Sequence, residues 1–405
     1  MTFTRREFLK MAAASPSILT HKEVEDSLQQ RRFVEKNSFS WPAEAWIELS
    51  RKNINYNLKK IQEFTHKPVM GVIKANAYGH GLLEFAECLQ SAGVHSLMVC
   101  SLREAVFIRA SGISIPILNF GPFLPDFSNT LLKNRITQSI FTNDILHLSK
   151  TANKQGLLAK IHIHVDTGMG RMGIPYHKAL PFINRTAALP GLTIKGVSST
   201  LTEDEEFDQI QYQRLISLIN ELKKKGVSLG VKHLASSAAI FSSPSLYLDM
   251  IRPGIVLYGY YPNRKTQKED LLSLKPVLQL KSRVAAVKNL RPGDSVSYHR
   301  SYVATKKETI AVIPVGYSDG YPFNIIGKGK VLIKGKRIPL IGDITANHLI
   351  VSIDSCLNVR KGDEVVLIGY QGKEHILADE IADWAGVSTY KILIRLNPLL
   401  PSKIV

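Results

Sequence analysis

Short hydrophobic runs alternate with segments of helical periodicity through roughly the first two thirds of the chain. The pattern opens with a strand-like run at residues 46–49, followed by Ile54, Leu58 and Ile61 at helical spacing. Eight β-rich runs then recur between helical patterns, at residues 69–74, 96–101, 115–120, 136–141, 160–165, 193–199, 231–236 and 251–256. Eight repeats of strand and helix predict an α/β fold, an eight-stranded (β/α)8 TIM-like barrel over residues 44–273. In such a barrel the chemistry lies on the loops that follow the strands.

The pattern changes beyond residue 273, where short strands are separated by turns rich in Gly, Asp and Lys. These strands are predicted at residues 280–287, 309–315, 329–333, 349–353 and 364–368. We therefore expect a C-terminal, mostly antiparallel β domain over residues 274–405, with a minor helical patch at 378–385.

The first 43 residues form a leader outside both domains. Residues 4–10, Thr-Arg-Arg-Glu-Phe-Leu-Lys, resemble a twin-arginine export signal, but the apolar stretch after them is short and is interrupted by Pro16. The sequence leaves two locations open: export to the periplasm or envelope, and retention in the cytoplasm.

Composition excludes several classes of protein. A hydrophobic fraction of 44% and a charged fraction of 21% are typical of globular domains, and no apolar tract reaches the roughly 18 residues of a membrane span. Three cysteines, with no C-x-x-C or H-E-x-x-H motif, predict neither a disulfide framework nor a metal site. The net charge of +18 is spread along the chain without an aromatic-rich basic cluster, so no nucleic-acid partner is expected.

A lysine ends the first barrel run. Lys74 stands in the segment Val-Ile-Lys-Ala-Asn-Ala-Tyr-Gly-His-Gly at residues 72–81. Strands around a lysine at the barrel mouth can desolvate it, which favours the neutral amine that attacks a carbonyl. Placement alone favours the other interpretation, a surface lysine beside a glycine-rich turn.

Residues 72–81 resemble the pyridoxal-phosphate attachment signature of alanine racemases. Further motifs with family order and spacing stand at residues 46–48, 165–173, 252–255, 296–298 and 316–321, so the similarity covers about residues 44–400. The resemblance implies a racemase that uses pyridoxal 5'-phosphate (PLP) and acts on a small amino acid, with alanine as the expected substrate. It also implies a supply of D-alanine for peptidoglycan.

The resemblance assigns a proton-transfer group to each face of the substrate. Lys74 is similar to the lysine that holds the cofactor and moves protons on one face, and Tyr298 to the base on the other. Racemisation removes a proton from one side of Cα and returns it on the other, so two such groups are required. Without the resemblance to alanine racemases, we would interpret Tyr298 as an ordinary aromatic residue at a strand end.

Other family positions imply ligands for the cofactor and for the substrate. Arg252 resembles the arginine that donates to the pyridine nitrogen and, being always protonated, keeps that nitrogen an acceptor. The phosphate ligands would be the hydroxyls of Tyr78 and Ser237 with the amides of Gly254 and Ile255, and the substrate-carboxylate ligands Arg171 and the amide of Ala346. The resemblance further implies a homodimer in which Tyr298 completes the partner's site. His233 matches a family histidine that we interpret as structural.

Several family positions are altered in this chain. His164 stands where relatives carry a lysine that can be carbamylated, and Thr200 where a histidine links the pyridine arginine to the catalytic tyrosine. The other departures are Ser236 for an asparagine, Asp343 for an arginine, and Thr345, Ala346 and Asn347 for a Cys-Met-Asp run.

These departures leave two alternatives to an alanine racemase open. The smaller residues predict a racemase of broader specificity, whereas the lost histidine link predicts a PLP-binding relative with weak catalysis. A decarboxylase on the same kind of fold is disfavoured, because Arg252 stands where an acidic partner of the pyridine nitrogen is expected.

Overall fold

The structure, a computed structural model, describes residues 44–356 and 358–405. The twin-arginine-like segment lies outside these residues. None of the helices in the described ranges is both long and apolar enough to cross a membrane.

The first part of the chain alternates strands and helices, as the sequence pattern predicts. Its strands are β1 (Ala45–Leu49), β2 (Met70–Val72), β3 (Ser96–Val99), β4 (Ile117–Asn119), β5 (Thr137–Ile140), β6 (Ala159–Asp166), β7 (Ile174–Pro175), β8 (Leu192–Ser198) and β9 (Val231–His233). Its helices are α1 (Arg51–Thr65), α2 (Lys74–Tyr78), α3 (Leu82–Ser91), α4 (Leu102–Ala110), α5 (Ser128–Lys133), α6 (Ile145–Lys154), α7 (Tyr176–Ala187), α8 (Glu205–Lys224) and α9 (Arg264–Glu269).

A parallel sheet curls into the predicted TIM-like barrel. Its strands follow the order β2-β3-β4-β5-β6-β8-β9, with the short β7 beside β6. Met250 bridges to His233 on β9 and Ile251 bridges to Val69 next to β2, so the sheet closes on itself. The fold class is confirmed.

The eighth run differs from the strand predicted at residues 251–256. It makes bridges at Met250 and Ile251 and keeps hydrogen bonds to the sheet as far as the Pro253 carbonyl, which accepts from the Val72 amide at 3.0 Å. Pro253 has no N–H to donate to a ladder, and Gly254 turns the backbone to φ −111° and ψ −96°. Residues Ile255–Tyr258 consequently form a single 3₁₀ turn at the barrel mouth.

The strand at residues 45–49 lies ahead of the eight predicted barrel runs, and it belongs to the sheet of the C-terminal domain. It pairs antiparallel with the strand Leu278–Arg283 and parallel with Ser402–Ile404. Glu48 explains this position, because its carboxylate lies 3.0 Å from both Lys281 Nζ and Lys403 Nζ on the neighbouring strands.

The remaining elements form the C-terminal β domain. They are β10 (Leu278–Arg283), β11 (Ala286–Leu290), β12 (Ser295–Val296), β13 (Tyr302–Val303), β14 (Glu308–Ile313), β15 (Lys330–Ile333), β16 (Lys336–Ile341), β17 (Leu349–Ser352), β18 (Glu364–Gln371), β19 (Glu374–Ile376) and β20 (Ser402–Ile404), with helices α10 (Ala378–Ala385) and α11 (Thr389–Ile394). The main sheet runs β11-β14-β17-β16-β15-β18-β10-β1-β20 and is antiparallel except between β1 and β20. The antiparallel domain and its helical patch are confirmed.

The core of the barrel fixes the strand that carries the first site residues. Tyr258 is fully buried, stacks on Phe85 with 4.4 Å between ring centroids, and donates a hydrogen bond to the Val72 carbonyl at 2.9 Å. Burial of one such side chain contributes about 1.5–3 kcal/mol. The end of β2 is therefore held from inside the barrel.

Candidate active site

The short helix α2, which follows β2, is a left-handed turn. Ala75, Asn76, Ala77 and Tyr78 all have φ between 51° and 54°. Left-handed helical geometry costs about 1–2 kcal/mol for each L-residue, so tertiary contacts must hold it. Glu104 on α4 supplies one of these contacts by accepting from the Asn76 amide at 3.0 Å.

Close packing against the C-terminal domain also holds this turn. A β-carbon on Gly79 would lie 1.9 Å from the Leu393 carbonyl oxygen of α11, so only glycine fits there. The turn places Lys74 at the barrel mouth and folds the Tyr78 ring back over the 3₁₀ turn after Gly254.

A small cradle lies between Tyr78, Ser237 and Gly254. The Gly254 amide donates to Ser237 Oγ at 2.8 Å, and a β-carbon on Gly254 would lie 2.7 Å from Tyr78 Oη. Burial raises the pKa of the Tyr78 phenol, so its hydroxyl stays protonated and can donate. Two hydroxyls therefore converge with the backbone of Gly254 and Ile255, an arrangement that fits a phosphate group.

The guanidinium of Arg252 is buried and donates four hydrogen bonds. Its Nη1 donates to His233 Nδ1 at 2.9 Å and to the His233 carbonyl at 3.1 Å, and its Nη2 donates to the carbonyls of Ser199 at 2.7 Å and Leu234 at 3.0 Å. Burial lowers its pKa to about 10, so it remains charged near neutrality. Of its five donors, the Nε–H is the one these bonds leave for a ligand.

Buried histidines surround this arginine. His233 Nε2 lies 2.8 Å from His162 Nδ1, and His164 lies against the Phe120 ring with 4.5 Å between centroids. Burial and then the charge of Arg252 lower the pKa of His162 to about 4 and that of His164 to about 3. All three rings are therefore neutral near pH 7, since the pKa of His233 is also well below its ordinary value.

Arg171 lies on the loop after β6. Asp166 holds this loop by accepting from the Gly168 amide at 2.9 Å and the Gly170 amide at 3.1 Å. The Arg171 side chain is exposed, yet its charge contributes to lowering the pKa of His164 inside the barrel. Arg171 therefore lies close to the same mouth as Arg252.

Tyr298 and Ala346 form a second cluster on the C-terminal domain. The turn between β12 and β13 exposes 72% of Tyr298 and is held by a Ser297 hydroxyl that donates to the Asp343 carbonyl at 2.9 Å. The Ala346 carbonyl accepts from the Ser318 amide at 2.9 Å, and no hydrogen bond among the described residues uses the Ala346 N–H. No hydrogen bond or ring contact in the described ranges joins Tyr298 to the barrel residues. Within one chain, the predicted site residues therefore form two separate clusters, one at the barrel mouth and one on the C-terminal domain.

The altered positions have mostly local partners. His164 Nδ1 lies 3.1 Å from Ser198 Oγ, and the Asn347 amide donates to Ser318 Oγ at 2.8 Å. Ser236 accepts from the Ile240 amide at 3.2 Å, and the Thr200 carbonyl accepts from Gln211 at 3.0 Å. Thr200 therefore contributes only its backbone carbonyl. Its side chain does not make the link to the pyridine arginine that is expected of a histidine at this position.

Sequence reasoning missed residues that line or support the site. Tyr390 of α11 places its ring 5.8 Å from that of Tyr78, Cys100 ends β3 near Lys74, and Glu104 and Gln211 hold site loops. The position of Cys100 at a strand end was a usable signal, because barrel chemistry lies there. Tyr390 comes from a distant helix, and no local pattern marks it.

Comparison with known proteins agrees with this geometry. The chain matches the alanine racemase N-terminal domain over residues 49–262 and the alanine racemase C-terminal domain over residues 277–404. The alanine racemase of Clostridium novyi (strain NT) is 37% identical over 364 residues, which are 88% of this chain and 94% of that protein.

Solved structures lead to the same family. An alanine racemase from Clostridium difficile 630 has a TM-score of 0.85 and 32% identity, covering 90% of this chain and 96% of that chain. A histidine racemase from Leuconostoc mesenteroides subsp. sake NBRC 102480 has a TM-score of 0.82 and 29% identity over 90% of this chain and 98% of that chain. Because both domains are matched in order along the chain, the chain belongs to the alanine racemase family.

Proposed function

We propose that the protein interconverts L-alanine and D-alanine with PLP as its cofactor. The observation that carries this proposal is the cradle of Tyr78, Ser237 and Gly254 beside Lys74 at the barrel mouth, in which a β-carbon on Gly254 would lie 2.7 Å from Tyr78 Oη. A cradle that a methyl group would fill suits a phosphate bound by backbone and hydroxyl donors. The amides of Gly254 and Ile255 would complete it.

Two residues would move the protons. PLP, when bound, delocalises the negative charge that develops at Cα. Lys74 would hold the cofactor covalently through Nζ and remove or return the Cα proton on one face, while the Tyr298 hydroxyl would do so on the other. Each group acts as an acid in one direction and as a base in the reverse direction.

Arg252 would set the character of the cofactor ring. Its Nη atoms are engaged by His233, Ser199 and Leu234, which orients the remaining Nε–H as a donor. Because the guanidinium stays charged, its ring partner can only accept, and this weakens the cofactor as an electron sink. Return of the proton to Cα is then favoured over transamination.

Arg171 and the Ala346 amide would bind the substrate carboxylate. A guanidinium suits a carboxylate because its planar donors match both oxygens. The amide at position 346 does not depend on the side chain, so the replacement by alanine leaves it in place.

A homodimer would bring the two clusters of site residues together. Tyr298 is 72% exposed although its proposed chemistry requires contact with a substrate held in the barrel. We therefore propose that Tyr298 enters the site of a partner chain, and that the small amino-acid substrate lies between the subunits.

A direct assay tests the reaction. The PLP-loaded enzyme is incubated with L-alanine in D2O, and we expect loss of optical rotation together with deuterium at Cα. Lys74→Ala should abolish both signals, whereas Lys160→Ala, at the exposed opposite end of β6, should keep them. Absence of exchange in the loaded wild-type enzyme would refute the proposal.

A broader amino-acid racemase is the second candidate. The small side chains of Ala346 and Thr200 favour it, and a histidine racemase is among the similar solved structures. Racemisation of each L-amino acid by the same preparation decides between them, because a broad enzyme would turn over histidine or other long side chains at rates comparable with alanine.

A further inference from the structure

Gln211 on α8 is completely buried, and both ends of its amide are used. Its Nε2 donates to Thr167 Oγ1 at 3.2 Å and to the Thr200 carbonyl at 3.0 Å, while its Oε1 accepts from the Thr202 amide at 2.9 Å. One side chain therefore joins the loop after β6, which carries Arg171, to the loop after β8.

The loop after β6 is joined in turn to Arg252 at the barrel mouth. Thr167 Oγ1 lies 2.7 Å from Ser199 Oγ, and the Ser199 carbonyl accepts from Arg252 Nη2 at 2.7 Å. Gln211 donates to Thr167, and either hydroxyl can be the donor in the contact between Thr167 and Ser199. A continuous path of buried polar contacts thus runs from Gln211 to Arg252.

A second residue of the same helix holds the loop from outside. Arg214, three positions after Gln211, donates from Nη1 to the Thr167 carbonyl at 2.7 Å and lies over the Tyr176 ring at 4.4 Å. The loop has Gly168 and Gly170 at positive φ, and Asp166 holds it from within through the amides of these glycines. Helix α8 adds the contacts that fix the loop from outside.

We propose that Gln211 is the positioning residue that fixes the Arg171 loop relative to Arg252. The distance between the carboxylate ligand and the cofactor-ring ligand would then depend on this one amide. Position 200 takes part through its carbonyl, so the coupling does not need a histidine there. The inference rests on the proposed function, in which Arg171 binds the substrate carboxylate.

The test removes the amide while keeping its volume. In the PLP-loaded enzyme, Gln211→Met should raise the KM for alanine about tenfold and lower kcat less than threefold, by the scale of one buried hydrogen-bond network. Hydrogen exchange at residues 167–173 should become faster, and PLP affinity should stay within twofold. Binding of ethylamine, which has no carboxylate, should be unchanged in a spectral titration.

Matched variants separate positioning from general damage. Gln213→Met changes the same side chain at an exposed site of the same helix and should leave KM and exchange at wild-type values. Thr167→Val removes the next hydroxyl of the path at nearly constant shape and should reproduce the KM effect, even where the Gln211 variant folds poorly. An equal loss of alanine, ethylamine and PLP affinity would mean a merely structural role and would overturn the inference.

The Arg171→Gln variant shows whether the positioning role of Gln211 fails or the proposed carboxylate-binding role of Arg171 fails. If Arg171→Gln leaves alanine binding unchanged, the proposed role of Arg171 is wrong and the inference falls with it. If Arg171→Gln weakens alanine binding while Gln211→Met and Thr167→Val do not, only the positioning role is wrong.

Discussion

Arg252 Nη1 and His233 Nδ1 lie 2.9 Å apart, and this contact fixes the protonation of two histidines. Arginine can only donate, so His233 Nδ1 must be an acceptor and the neutral ring carries its proton on Nε2. That nitrogen lies 2.8 Å from His162 Nδ1, which must therefore accept as well. The charge of one arginine thus orders two neutral imidazoles inside the barrel, next to its mouth.

Removing the His233 acceptor should show how much these two hydrogen-bonded histidines contribute to stability and rate. His233→Phe leaves the Arg252 Nη1 donor one acceptor short in a dry interior, which costs about 1–3 kcal/mol. We expect a lower Tm of the PLP-loaded enzyme and a several-fold lower kcat, measured by thermal unfolding and initial rates. His233→Gln retains an acceptor and a donor and should recover most of both. Equal defects in the two variants would show that ring packing, and not the hydrogen bond, is what position 233 supplies.

The phosphate cradle can be tested by filling it. Gly254→Ala places a methyl group 2.7 Å from Tyr78 Oη, so the affinity for PLP should fall at least about tenfold. Pyridoxal, which has no phosphate, should bind the variant and the wild type equally in a fluorescence titration. Gly329→Ala, in the C-terminal domain, meets the Ile325 side chain at 2.8 Å and the Ile325 carbonyl oxygen at 3.1 Å, so it serves as a control of similar crowding outside the cradle. An equal loss of affinity for pyridoxal would show that the phosphate does not bind at this position.

The sequence predicted the barrel and the antiparallel domain because both depend on the spacing of hydrophobic residues. It did not show which sheet β1 joins, since a strand of five residues carries no signal for its partner strands. Motif resemblance selected Lys74, Tyr78, Ser237 and Gly254, which the structure brings together around one loop and one turn. It could not select Gln211, because a buried glutamine in a helix looks like any other polar residue until its two loops are placed beside it.

Mixed dimers test whether Tyr298 belongs to the partner's site. A dimer of one Lys74→Ala chain and one Tyr298→Phe chain would contain one site with both changes and one site with neither, if the sites are shared. We expect activity to reappear on mixing, up to about half of the wild-type rate per dimer. Each variant alone should stay inactive or slow. No recovery in verified heterodimers would place Tyr298 in the site of its own chain.

His164 should make the fold sensitive to acid. Burial lowers its pKa in the folded chain to about 3 from an ordinary 6.5, so below pH 6.5 protons bind preferentially to the unfolded chain. Stability from this residue is complete above pH 6.5, declines as pH falls, and levels off below about pH 3. Between pH 8 and pH 5 the loss amounts to about 2 kcal/mol.

The pH dependence of stability isolates this effect. His164→Gln should reduce the loss of unfolding free energy between pH 8 and pH 5 by about 2 kcal/mol in denaturant titrations. The absolute stability of the variant does not enter, because the comparison is between two pH values for each protein. His147→Gln, on the exposed face of α6, should leave the pH dependence as it is in the wild type. An unchanged dependence in His164→Gln would show that the histidine is not buried as a neutral ring.

Thr200 is the departure with the clearest consequence for rate. Its neighbour Ser199 accepts from Arg252, so a histidine at position 200 would lie near the charged guanidinium. In the proposed dimer, this histidine would link Arg252 to the catalytic tyrosine. If that link stabilises the deprotonated form of the catalytic tyrosine, the present enzyme should be slow near neutrality and become faster into alkaline pH. Thr200→His should move the rising limb of the kcat profile to lower pH, by about one unit for each 1.4 kcal/mol of added stabilisation. Thr200→Asn, which fills similar space without titrating, should keep the wild-type profile. A Thr200→His profile that coincides with the wild type, in a protein that binds PLP normally, would mean that the arginine tunes the site through Ser199 and Gln211 alone.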